Sequence, residues 1–189
     1  MAERAGVSLA RAGMRQKGEV WTLGHGRRSL EECIFLLRTH GLQAVEDVRS
    51  FPGSRRNPQF GKESLAPALA KEQIEYRHCP GLGGFRKPRD DSPNRGLTNE
   101  GFRGYADYMQ TEEFRREFDA LLSRICSRRS CLVCAETVPW RCHRFLLADL
   151  CVLRGLRVTH ILGEKKTQLH ERTRGFAEHH GVLVYAPEK

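Results

Sequence analysis

The sequence predicts an α/β fold of three layers, with a mainly parallel sheet between helices on both faces, Rossmann-like in its connections. Short β-rich runs alternate with stretches of helical period, the pattern of successive βαβ units. One run, CLVCAE (131–136), is apolar along nearly its whole length, as a strand covered on both faces must be. No internal repeat or second regime of composition divides the 189 residues. Residues 19–189 are therefore expected to form one domain behind a flexible basic tail, 1–18.

EVWTLGH (19–25) reads as the first strand. In SLEECIFLLRTHG (29–41), Ser29 can cap a helix, Glu31 and Glu32 suit its first turn, and Gly41 ends it. Leu30, Cys33, Ile34 and Leu37 trace one face of that helix. LQAVEDVRSFPGS (42–54) gives a second strand, broken by Phe51-Pro52-Gly53. KESLAPALAKEQ (62–73) is a short helix in which Pro67 is comfortable only within the first turn. IEYRHC (74–79) alternates like a strand. Residues 80–100 carry neither period, and a glycine hinge beside Arg86, Lys87 and Arg89 predicts a functional lid. Aromatic and aliphatic residues recur at helical spacing over 101–129, so that stretch is helical and core-facing. RCHRFLLADLCVLRG (141–155) is a helix closed by Gly155, RVTHILG (157–163) the next strand and GVLVYA (181–186) the last.

No apolar run approaches the about 20 residues of a membrane helix, and the N-terminus has no apolar centre of secretory type. A cytoplasmic protein without a membrane partner is expected. Seven cysteines, an odd count without an export signal, imply free thiols, most of them small buried hydrophobes. A formal net charge of +9 favours anionic partners, nucleic acid first.

In such a sheet, sites form beyond the carboxyl ends of the strands. Gly24-His25, Asp47 with Arg49, His78-Cys79 and Cys134-Ala135-Glu136 all stand at such ends. Cys142 is the sharpest candidate, because it lies in or near the first turn of the helix after a strand, among Arg141, His143 and Arg144. Unpaired amides, the helix dipole and these cations favour a thiolate there. A thiolate so placed can attack an electrophilic carbon while His143, His25 or Glu136 manages protons and Asp47 orients a histidine. The competing reading buries the cysteine in a helix–sheet interface, where Cys33, Cys126, Cys131 and Cys151 fit better, and pairs Asp47 with an arginine as a structural ion pair.

Cys134 shares the neighbourhood but does not open a phosphatase-like loop. Glu136, Pro139 and Trp140 follow it, bringing a repelling carboxylate and a missing amide. The ligand types suit zinc, through Cys134, Cys142 and His143 with His25 or Cys79, but no C-x-x-C spacing is present and no cofactor is expected. GLGGFRK (81–87) lacks the Gly-Lys-Ser/Thr ending of a P-loop. Arg49, Ser54, Arg55, Arg56, Arg86, Lys87 and Arg144 are the expected anion contacts, forming a basic rim on which Phe60 or Trp140 could stack a base.

WTLGHGRRSLEE, VEDVRSFPGSRRNPQF, IEYRHCPGLGG, FRGYADYMQTEEF and CAETVPWRCHRFLLAD together resemble the bacterial domain of unknown function 488 family, from about Glu19 to the C-terminus. The resemblance implies an α/β domain. It places Gly24, His25, Asp47, Arg49, Pro52, Ser54, Arg55, Gly83, Gly84, Tyr105, Cys134, Glu136, Cys142, His143 and Arg144 in the family motifs, while Gly26 stands where a serine is expected. Cys142-His143-Arg144 is also similar to the core of the acceptor motif of O6-alkylguanine-DNA alkyltransferases, although Arg141 replaces the proline before the cysteine. The shared logic is a thiolate that accepts a group from an accessible base.

The expectation is thus a cysteine-dependent enzyme acting on nucleic acid or a nucleobase, in DNA base-damage repair or base modification. The alternatives are a small-molecule enzyme using the same cleft for a nucleotide or anionic metabolite, and a nucleic-acid-binding protein without chemistry.

Overall fold

The structure, a computed structural model, describes residues 18–53, 57–179 and 182–187. The tail expected over 1–18 lies outside these residues except for Gly18, which opens the first strand.

β1 (Gly18–Gly24) leads into α1 (Leu30–Thr39), whose entry is fixed by a reciprocal cap. The Ser29 hydroxyl accepts from the Glu32 amide at 3.1 Å, and the Glu32 carboxylate accepts from the Ser29 amide at 2.6 Å. β2 (Ala44–Asp47) is followed by a 3-10 turn, Pro58–Phe60, and by α2 (Lys62–Lys71). Pro67 sits past the first turn of α2, yet the helix continues. The proline is on the exposed face, so the Glu63 carbonyl that loses its partner can bond to water. β3 (Glu75–His78) follows, then a 3-10 turn, Pro80–Leu82.

The stretch 101–129, expected to be helical, forms two helices, α3 (Glu100–Tyr108) and α4 (Glu112–Ile125). Thr111 makes the break, because its hydroxyl accepts from the Phe114 amide and caps a new helix. β4 (Ser130–Cys134), a 3-10 turn (Pro139–Arg141), α5 (Arg144–Leu153) and β5 (Leu156–Gly163) complete the main body. β6 (Lys166–Leu169) is an edge strand with every side chain exposed, so it carried no hydrophobic pattern to read. β7 (Phe176–His179) and β8 (Val182–Tyr185) form a separate two-stranded sheet, and the last apolar run pairs there and not in the main sheet.

The six-stranded sheet has the order β3-β2-β4-β1-β5-β6, parallel except for β5 with β6. It is the middle layer of a three-layer α/β fold. Alternation along the strands sends Val20, Leu132 and Val158 to one face, beneath Phe114, Phe118, Leu121, Leu146 and Leu150 of α4 and α5. Leu23, Val45, Cys131 and Val133 point to the other, beneath Leu36, Leu37, Leu65 and Leu69 of α1 and α2. No described helix is long and apolar enough to cross a membrane.

The stretch 80–100 is pinned, which corrects the expectation of a hinged lid. Buried Asp107 accepts from the Arg89 amide (2.8 Å), the Ser92 hydroxyl (2.6 Å) and the Asn94 amide group (2.7 Å). Asn94 and Gly96 in turn bond to the backbone of Tyr185.

Candidate active site

β1 and β4 lie side by side, but the chain leaves β1 for α1 on one face and leaves β4 for α5 on the other. The crevice outside their carboxyl ends is therefore the switch point of the sheet, where α/β domains place their sites. Gly24 pairs with Cys134, and the contact runs on through His25 N–H to Cys134 O (3.0 Å) and Gly26 N–H to Ala135 O (2.8 Å). A Cβ on Gly24 would lie 1.7 Å from the Glu136 carbonyl oxygen. Gly24→Ala is accordingly expected to cost about 3 kcal/mol in urea unfolding; a loss under about 1 kcal/mol would contradict so close an approach.

Two thiols and one imidazole meet in this crevice. Cys134 is the last residue of β4, and Cys142 and His143 lead into α5 after the 3-10 turn. His143 Nδ1 lies 3.7 Å from Cys142 Sγ and 4.0 Å from Cys134 Sγ. Its Nε2 lies 2.9 Å from the Val48 carbonyl, which can only accept, so Nε2 carries the proton and the Nδ1 lone pair faces the sulfurs. Tyr105 packs on the ring with centroids 4.9 Å apart and anchors its own hydroxyl on the Leu82 carbonyl. On the neighbouring loop, a Cβ on Gly84 would lie 3.0 Å from His143 Nδ1, so glycine lets the chain rest on the imidazole.

The two cysteines differ sharply in acidity. Burial pushes the Cys142 thiol up, but a hydrogen bond from Cys134, the Arg144 charge and the Arg144 amide outweigh it and bring the thiol down to about 6. Cys134, as the donor in that bond and itself buried, is pushed up to about 12. The pair thus loses one proton early and keeps the other. Cys33, Cys79 and Cys151 are pushed up to about 12 by burial, and Cys131 higher still. Cys33, Cys131 and Cys151 fit the expectation of small buried hydrophobes, whereas Cys126, expected among them, is exposed.

Arg144 adds to the asymmetry that the bond between the two sulfurs sets first. It is 1% exposed, and its guanidinium donates to the carbonyls of Glu136 (2.5 Å) and Thr137 (3.0 Å). No carboxylate among the described residues pairs with it. A buried cation with only carbonyl partners stabilises a nearby anion strongly, and Cys142 is the group that gains.

The other expected site residues are placed as follows. Arg144 and Arg49, expected as anion contacts, are both buried; Arg49 is held by Asp47 through Nε (2.8 Å) and Nη2 (2.6 Å). Asp47 also accepts from the Tyr76 hydroxyl, so its carboxylate serves an ion pair and does not orient a histidine. His25 stacks on Phe60 with centroids 4.2 Å apart, which removes Phe60 from the surface where a base could stack. Burial and then Arg49 push His25 down to about 4, so it is a neutral ring at neutral pH. Glu136 is exposed and contributes its carbonyl to Arg144. Lys87 is exposed, whereas Arg86 lies over the Tyr108 ring at 3.9 Å. Ser54, Arg55 and Arg56 lie outside the described residues.

Cys134, Cys142 and His143 place three ligand atoms within 4.8 Å of one another, and the Val48 carbonyl orients His143 as outer partners orient metal-bound histidines. These three could hold a zinc ion with one position open. Cys79 is elsewhere, bonded to Glu46 and Arg124. The buried Arg144 cation beside Cys142 opposes a second positive charge at the same sulfur.

Sequence reasoning passed over a second buried cluster behind α5. Thr22 Oγ1 lies 2.7 Å from His160 Nδ1, His160 Nε2 lies 2.9 Å from His170 Nδ1, and His170 Nε2 lies 3.0 Å from Asp149 Oδ1. Its members come from β1, α5, β5 and the segment after β6, with no fixed spacing that could reveal them. Tyr105 was legible as part of a helical stripe and of a family motif, but not as the ring that packs on His143.

Comparison with curated proteins and with solved structures finds no match. The family model described as Domain of unknown function DUF488 matches residues 29–151, about two-thirds of the chain. The matched region is narrower than the sequence resemblance: it includes Cys134, Cys142, His143 and Arg144 and leaves out His25. The chain belongs to this family of domains of unknown function, DUF488.

Proposed function

We propose that the protein is a cysteine-dependent enzyme in which Cys142 Sγ attacks the carbon that joins a modifying group to a base in nucleic acid. The C–S bond forms as the bond from that carbon to the base breaks, so the group passes to Cys142 and the base leaves with the electron pair and takes up a proton from water. The observation that carries this reading is the surrounding of Cys142. Its sulfur meets a protonated thiol, the first amide of α5 and a buried guanidinium that has no carboxylate partner among the described residues. That arrangement maintains a nucleophile at neutral pH. Cys134 holds its proton beside the anion, and the Nδ1 lone pair of His143 can accept one. The net charge of +9 and exposed Lys87 and Arg141 support an anionic polymer as substrate.

The test uses single-stranded oligonucleotides carrying alkylated bases. Wild type is expected to release the modifying group or carry it on Cys142, and Cys142→Ser to lose at least about a thousandfold in rate. Equal rates for the two proteins would remove the nucleophile. Metal analysis of the purified chain is expected to show no stoichiometric zinc; one bound equivalent would make Cys142 a ligand instead. A free nucleotide or nucleobase as substrate is the second reading, favoured by the depth of Cys142, which is only 3% exposed. Salt-independent turnover of such a molecule would favour it.

A further inference from the structure

We propose that Phe51, Phe85 and Trp140 form a stacking rim that receives an unpaired base of a single nucleic-acid strand above the thiol pair; this rests on the nucleic-acid reading of the same site. Large aromatic side chains normally bury most of their surface. These three are 80%, 92% and 51% exposed. They occur on three separate segments, and each segment is tied to the crevice. Phe51 follows Ser50, whose hydroxyl donates to the Gly84 carbonyl at 2.9 Å. Phe85 follows Gly84, which rests against the His143 ring. Trp140 is in the 3-10 turn two residues before Cys142. The backbone just before Ser50 is held to the same imidazole through the Val48 carbonyl.

Phe85 is the telling residue. Its φ of +62° lies in the left-handed region, where glycine or asparagine is comfortable and a bulky side chain is not. A nearly fully exposed phenylalanine gains no packing in return, so a contact outside the folded chain accounts for it best. The charge flanking the rim selects the occupant. Lys87 lies two residues beyond Phe85 and Arg141 directly after Trp140, both exposed, in a chain of net charge +9. Aromatic faces interleaved with cations match a single strand, whose bases offer π-faces and whose backbone offers phosphates. A duplex hides those faces. Exposed Glu136, between the thiols in sequence, can accept from the amino group of a seated base.

The chain has two tryptophans, so Trp21→Phe leaves Trp140 as the sole emitter. That protein is titrated with oligothymidylate, with a duplex of equal length and with thymidine monophosphate. Saturable quenching by the single strand is expected, at least about tenfold tighter than by the duplex and weakening as salt rises. Phe51→Ala and Phe85→Asn are each expected to weaken binding about tenfold. Asn tolerates the left-handed φ, so the second variant removes the ring without adding strain. Single strand and duplex binding alike, or both aromatic variants binding as wild type, would overturn the rim while leaving the thiol chemistry to its own assay. Quenching by the monophosphate alone would overturn the rim and the polymer substrate together.

Discussion

Arg144→Met is expected to unfold at a free energy about 3–5 kcal/mol lower than wild type and to return the Cys142 thiol to or above its ordinary range. Methionine fills much of the space but donates nothing, so the carbonyls of Glu136 and Thr137 lose their part-buried donor. The same change removes the buried cation that opposes desolvation of the Cys142 thiolate. Arg144→Lys separates the two effects. It restores charge without the fork that reaches both carbonyls, so stability should stay low while the thiol recovers part of its acidity. Denaturant unfolding measures the first effect and thiolate absorbance the second. An Arg144→Met protein with unchanged stability and an unchanged thiol would remove Arg144 from both roles.

Asp149→Ala is expected to cost about 4 kcal/mol and to release the C-terminal segment first. The buried carboxylate accepts from His170 Nε2 (3.0 Å), the Thr173 amide (2.8 Å), the Thr173 hydroxyl (2.6 Å) and the Tyr185 hydroxyl (3.0 Å). It also sets the direction of the whole chain. An ionised carboxylate only accepts, so His170 donates from Nε2 and accepts at Nδ1 from His160 Nε2–H, and His160 accepts from Thr22. Amide exchange should show lost protection around β7 and β8, which Thr173 and Tyr185 hold to α5; full protection there would contradict the assignment.

The same chain fixes a pH response. Burial, His170 and Arg144 push His160 down to about 3, and His25 is down at about 4. Both are neutral in the folded protein, while in the unfolded chain they take up protons near their ordinary value of about 6.5. The contribution of these two histidines is therefore full above about pH 6.5 and falls with pH toward the folded values. Cys142 adds a contribution of the same sign at higher pH. Its folded value of about 6 lies below the ordinary value, so its contribution grows from about pH 6 upward and is lost as pH falls through 6. The urea midpoint of wild type should rise across this range, with Cys142→Ser rising less above about pH 6.5.

The strand and helix order from β1 to β5 was legible because each buried element carries its own period, and Ser29, Gly41 and Gly155 mark helix ends by local chemistry. The break at Thr111 was hidden by a stripe of aromatic residues that continues across it. β6 was illegible because an exposed edge strand such as KTQL has no apolar face. At the site, Cys134, Cys142 and His143 were legible from strand-end and helix-start positions. Their order of acidity was not, since it depends on Arg144 being buried and not solvated. For the same reason Arg49 and Arg144 read as substrate contacts: sequence gives the charge of an arginine but not the carbonyls and carboxylate that take up its donors. The exposure of Phe51 and Phe85 is likewise a tertiary fact, because an aromatic in a glycine-rich loop reads equally well as an anchor to the core.

The central claim is that Cys142 is a thiolate in the folded protein at neutral pH. Ultraviolet absorbance of the thiolate, recorded for wild type and Cys142→Ser from acid to alkaline pH, tests it without requiring a reagent to reach a buried sulfur. Wild type is expected to gain the absorbance of one thiolate centred at about pH 6, and Cys142→Ser is not. Superimposable curves up to the ordinary thiol range of about 8.5 would contradict it and leave Cys142 a packed cysteine.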